Sequence, residues 1–79
     1  MKWTLCFLVR DLATRQIVFH EIQEVEAPAA ERAKMTNQRI SELSMKYPLT
    51  THDVSMRGFD SLQALYSTLP ELAPKVLKP

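Results

Sequence analysis

Residues 3 to 9 read Trp-Thr-Leu-Cys-Phe-Leu-Val, and both alternating sets of side chains in that run carry apolar groups. In an extended chain successive side chains point to opposite sides, so such a strand needs cover on both faces. That requirement places it in the middle of a sheet. Behind Lys2 the run superficially resembles a secretory leader. It is only seven residues long, however, and Arg10 and Asp11 stop it without a small-residue cleavage site. It is also far shorter than the ~20 apolar residues that a membrane span takes. A buried central strand is expected.

The stretch Asp11-Leu12-Ala13-Thr14 suits a tight connection, with the Asp11 carboxylate accepting backbone N–H groups as an Asx turn. Gln16–Val25 then reads as a second strand that turns acidic at Glu21, Glu24 and Glu26. Pro28 stands where a helix begins, since its missing N–H costs nothing at the first helical position. From there Ala29, Ala33, Thr36, Ile40, Leu43 and Tyr47 recur at gaps of four and three, one face of a helix over 28–47 that Pro48 ends. The opposite face is polar.

Thr51–Arg57 is a third strand, with Val54 and Met56 on one side and Asp53, Ser55 and Arg57 on the other. Gly58, the single glycine, is expected to supply a positive φ on the way out. Asp60 and Gln63 have the spacing of a capping box with Phe59 as its staple, and Leu62, Leu65, Tyr66 and Leu69 form the apolar face of a second helix. Pro70 and Pro74 punctuate a tail in which Leu72, Val76 and Leu77 are the apolar residues.

The expected fold is therefore α+β: ββαβα, a three-stranded antiparallel sheet in order 2-1-3 packed with two helices. The alternative order 1-2-3 would set the second and third strands parallel. Seventy-nine residues suit one domain, over 1–70, with a C-terminal tail at 71–79. A chain of this size buries only about 60% of the surface it exposes when unfolded, so self-association is a natural source of added stability.

Several kinds of chemistry fall away. Cys6 is the only cysteine, so no internal disulfide forms, and nothing suggests an oxidising compartment; a cytoplasmic protein is expected. One glycine does not build a dinucleotide-binding turn or a Walker loop, and C-x-x-C, H-E-x-x-H and G-x-S-x-G are missing. Cys6 in a strand reads as a small buried hydrophobe, since a reactive thiol needs a base and an electropositive setting. His20 and His52 both lie in strands, and His52 and Asp53 point to opposite faces, which argues against an acid–base pair. No spacing brings Cys6, His20 and His52 together as metal ligands. No cofactor, metal or membrane partner is expected, and no enzymatic activity.

Ten Lys or Arg against nine Asp or Glu give a net charge of +1, far from the basic balance of domains held by phosphate contacts. Arg10 and Arg15 flank the hairpin turn and offer a small basic tip. The carboxylates at Glu21, Glu24 and Glu26 either form an acidic docking edge or keep an edge strand from pairing with strangers.

The hairpin is apolar on both faces. If residues 11–14 form its loop, Arg10 faces Arg15, Leu8 faces Ile17 and Cys6 faces Phe19. Trp3, Leu5, Phe7, Val9, Val18 and Ile22 then share one side, and Cys6, Leu8, Ile17 and Phe19 the other. Three strands make a sheet roughly 14 Å wide, which two helices side by side already cover. With both helices on the aromatic side, Cys6, Leu8, Ile17 and Phe19 stay bare as a partner-binding patch. With the second helix or the tail folded across, they become core. The expected function is a non-enzymatic protein-interaction domain, adaptor or regulatory in kind, that meets a protein partner, by default itself as a homodimer. The alternative is a small nucleic-acid-binding or regulatory protein that uses Arg10 and Arg15.

Overall fold

The computed structural model describes residues 2–72. Two strands, β1 (Trp3–Asp11) and β2 (Ile17–Val25), lead into helix α1 (Ala29–Lys46). Strand β3 (His52–Phe59), helix α2 (Leu62–Thr68) and a 3-10 turn at Pro70–Leu72 complete the order. The sheet runs β2-β1-β3, with both pairs antiparallel. The parallel 1-2-3 arrangement is excluded.

Central placement of β1 follows from its double-sided apolar pattern, and Thr4 through Val9 are all buried. On one face Leu5, Phe7 and Val9 pack with Val25 and Leu43, joined by Trp3, Phe19, Ile40, Tyr47, Val54 and Met56. Helix α1 lies across this face, as its period predicts. Its hold is sparse, however: Leu43 is its one buried side chain, and Ala29 and Ala33 of the expected stripe are exposed. Other contacts share the work. Arg32 stacks its guanidinium 4.7 Å from the centre of the Trp3 ring. Tyr47 meets Phe19 at 5.8 Å between ring centres.

The second face is closed too. Cys6 and Leu8 are covered by Leu65 and Leu69 of the α2 segment, with Ile17, Ile22, Phe59, Tyr66 and Leu72 packed around them. Cys6 and Leu65 are both 0% exposed and Leu8 is 2%. The two helices thus take opposite faces, the arrangement in which the bare patch does not arise. Val76 and Leu77 of the tail lie outside the described residues.

Three local expectations are corrected. Gly58 sits inside β3 opposite Leu5, and the only positive φ among the described residues is at Arg15, 62°. Helix α2 is capped one residue later than the capping box implies: Ser61 Oγ accepts from the Ala64 N–H at 3.1 Å. Asp11 does form the Asx turn, accepting from Ala13 and Thr14 N–H groups at 2.8 and 3.1 Å. The loop it initiates is displaced, however. Asp11 N–H donates to Gln16 C=O, so residues 12–15 form the turn.

That displacement moves every later pairing by two residues, which keeps faces unchanged. A bulge then moves them by one more: Arg10 pairs with Ile17, Val9 with Phe19, and Val18 is the extra residue. A one-residue slip exchanges faces. Phe19 therefore lies on the α1 side with Val9 and Tyr47, and Ile22 lies on the α2 side opposite Cys6. Both assignments are the reverse of the unbulged register.

Candidate functional site: the hairpin edge and tip

Of the four proposed partner-binding residues, the structure keeps three on one face. Cys6 and Leu8 are deep in the second core, Ile17 lies at its margin, and Phe19 belongs to the other side. The chemistry of Cys6 fits this place. Burial pushes the thiol up, and the charge of Arg57, its neighbour on β3, offsets only part of that. A raised thiol is a poor nucleophile at neutral pH.

The histidines do not converge with it. His20 is exposed on β2. His52 is half-buried at the start of β3, its Nδ1 2.8 Å from Thr51 Oγ1 and its ring edge-on to Tyr47 at 5.3 Å. Asp53 points away from it, opposite Arg10. Among the described residues no three His, Cys, Asp or Glu side chains gather as a metal site, and no helix is long and apolar enough to cross a membrane.

Arg10 and Arg15 do come together. Arg15 N–H donates to Asp11 C=O at 2.7 Å and holds the left-handed residue in place. Arg10 Nη1 then donates to the Arg15 C=O at 3.2 Å. Asp11 is the electrostatic counterweight: two backbone N–H groups, Thr14 first and Ala13 second, hold its carboxyl below the usual carboxylate range. Two open grooves flank this tip. One, of about 420 Å³, is lined by Arg10, Arg15, Ile17, His20, Glu71 and Leu72. The other, of about 430 Å³, lies among Arg10, Asp11, Leu12, Arg15 and Asp53. The first exists because α2 spans only seven residues, so the tip end of its face is reached only by the 3-10 turn. Glu71 approaches Arg10 at a loose 3.9 Å.

Strand β2 forms one margin of the sheet, with β1 on one side and, among the described residues, no strand on the other. Its three carboxylates behave differently from one another. Glu21 faces α1, where Arg39 donates through Nε at 2.9 Å and Nη2 at 2.7 Å, and Gln23 Nε2 donates at 2.6 Å. The Arg39 hydrogen bonds, chief among these causes, lower the Glu21 carboxyl below its ordinary value. Glu21 is thus a tether between α1 and the sheet. Glu24 and Glu26 stay exposed, and among the described residues neither has an ion-pair partner. Val18, pushed outward at the bulge, is 49% exposed.

Sequence reasoning placed β2 at the edge and weighed Glu21, Glu24 and Glu26 as a docking margin, but it missed the bulge, which hides in an ordinary Ile-Val-Phe run. The signal that was available was the mismatch between an acidic strand end and a basic turn at the other end of the same strand. No family model, curated protein or solved structure matches this chain.

Proposed function

We propose that the chain is a small, non-enzymatic protein-interaction domain, adaptor or regulatory in kind, and that it docks through the β2 edge rather than through the Cys6/Leu8 face. The supporting observation is that both faces of the sheet are covered while β2, nine residues long, keeps a margin unpaired among the described residues. Its backbone N–H and C=O groups on that side are a template for an added strand. The strand contains no proline or lysine, two common devices for blunting an edge, and it exposes Val18 beside the bulge. Main-chain pairing supplies affinity in such a mode, and the alternate side chains supply selectivity.

The experiment is affinity capture from the host with the wild type and with Val18→Asp, both verified as folded by circular dichroism. Retention that is lost in Val18→Asp supports the edge. Retention unchanged by that variant refutes it.

A second role has its own observation, the convergence of Arg10 and Arg15 on two grooves at the tip. It favours an anionic ligand, with nucleic acid as the macromolecular candidate. Asp11, Asp53 and Glu71 stand among the same residues and dilute the field that a phosphate backbone needs. Retention of the wild type on heparin or an oligonucleotide column, falling with salt and lost in an Arg10→Ala/Arg15→Ala variant, would favour it over edge docking.

A further inference from the structure

We infer that the strand which completes the β2 edge is β2 of a second copy, paired antiparallel about a two-fold axis at Ile22. This rests on the reading of β2 as a docking edge and names its occupant. An antiparallel pair related by a two-fold in one continuous sheet matches each face with the same face of its mate. Only registers that join like-facing residues are then allowed.

In the described strand Phe19, Gln23 and Glu21 lie on the α1 side, and His20, Ile22 and Glu24 on the α2 side, opposite Leu8, Cys6 and Thr4. Centring the axis on Glu21 sets that carboxylate against its own copy. Centring it on His20 sets the two imidazoles together and places Phe19 against Glu21. Like charges directly opposite destabilise a strand pair. Centring the axis on Ile22 removes every such clash. Ile22 then meets Ile22, Glu21 meets Gln23, His20 meets Glu24 and Phe19 meets Val25. Each of the last three occurs twice by symmetry.

The complementarity is detailed. The Glu21–Gln23 pairing repeats across the interface a hydrogen bond that already exists within each strand at 2.6 Å. His20 and Glu24, both exposed and unpaired among the described residues, become partners on the α2 side of the sheet. Phe19 and Val25 extend the α1-side core across the junction, and Ile22 does the same for the α2-side core. The seven residues from Phe19 to Val25 make a paired length of about 24 Å. Helix α1 packs closer to β3 than to β2, which leaves the β2 margin open to the mate. The bulge at Val18 closes the paired segment and sets the exposed Val18 side chain at its rim, where a charge disturbs the incoming strand.

The test is sedimentation equilibrium of the full chain at up to about 1 mM, the weak end of specific association. The wild type, 9.1 kDa as a monomer, should double in mass with rising concentration. His20→Glu alone sets Glu against Glu24, and Glu24→Lys alone sets Lys against His20. Each should weaken the dimer about tenfold, since the altered pair occurs twice. The double variant sets a carboxylate against an ammonium group and should recover at least the wild-type constant. Both side chains are exposed, so the fold is spared.

A mixed-label sample should also show an NMR contact between the Glu21 and Gln23 α-protons across the axis, the pair that flanks the hydrogen-bonded Ile22 rung. A dimer whose constant ignores all three variants, or lacks that contact, overturns the register. A monomer throughout overturns self-pairing. The wider edge-docking reading has a separate fate, because capture of a foreign partner that Val18→Asp abolishes would survive a monomeric wild type.

Discussion

Replacing Leu65 with Ala tests whether α2 is the permanent cover of the second sheet face. Leu65 is 0% exposed and packs on Cys6 and Leu8, so truncation removes buried methyl groups and leaves a cavity beneath a short helix. Leu→Ala changes at such sites cost about 2–5 kcal/mol, and 3 kcal/mol is a reasonable centre. A chain of 79 residues has roughly 4–12 kcal/mol in total, so the variant should still fold. Cys6 supplies the readout, being the single thiol and lying directly under the lid.

A disulfide reagent should label Cys6 only through states in which α2 has lifted or the chain has unfolded, so the rate follows the opening equilibrium. A 3 kcal/mol loss raises that equilibrium about 150-fold. The burial that pushes the Cys6 thiol up retards labelling further in the closed state. Labelling should therefore be slow in the wild type and about two orders of magnitude faster in Leu65→Ala, with urea melts reporting the same loss. A wild-type Cys6 that labels as fast as a free peptide thiol would refute the closed face. A Leu65→Ala rate within threefold of wild type would show that something other than Leu65 provides the cover.

Three smaller perturbations address other parts of the fold. Gly58→Ala should be tolerated and stabilise by about 0.4–1 kcal/mol in urea unfolding. Its φ is not positive, and the added carbon meets Leu5 Cδ2 at an ordinary 3.9 Å. Arg15→Gly should leave stability unchanged or raise it by up to about 1 kcal/mol, because φ at that position is 62°. A clear loss in the same melt would mean that the Arg15 side chain is structural. The Glu21 carboxyl is lowered in the folded chain, chiefly by Arg39, so its contribution is present above the ordinary glutamate range near 4.3. That contribution is lost as pH falls through the lower folded value. Thermal melts from pH 6 down to about 3 should steepen in the wild type and lose part of that slope in Glu21→Gln.

The element order was legible because each element advertises its own period. The double-sided run at Trp3–Val9 demanded a central strand, and the gaps of four and three after Pro28 demanded a helix on the polar-edged sheet. Val54 and Met56 alternate cleanly with the polar Asp53, Ser55 and Arg57, and they do join the α1-side core. Long-range choices were less legible because they turn on small balances. Whether α2 joined α1 or crossed to the other face depended on the whole uncovered area of Cys6, Leu8, Ile17 and Ile22. Burying a single Leu contributes about 1.5–3 kcal/mol, so leaving that face bare would cost more than a short loop into α2 saves.

The hairpin register carries the sharper lesson. Residues 11–14 and 12–15 are equally plausible loops on turn chemistry, since Asp11 initiates either one, and the choice alone would not alter which residues share a face. The bulge alters it. No residue type marks Val18 as an insertion, because a β-branched residue suits a bulge and a regular strand alike. What selects the bulge is tertiary. It sets Phe19 against Tyr47 and Val9, and it sets Ile22 against Cys6 under α2, where an unbulged strand would turn the His20 and Glu24 side chains inward toward α1. Burying two unpaired ionisable groups costs more than one disrupted rung of the ladder. The same exchange that removes Phe19 from the expected partner patch puts His20 and Glu24 on the α2 side of the β2 edge, four residues apart with Ile22 between them. That spacing makes β2 complementary to its own reverse. It becomes visible only once the strand is read with its extra residue.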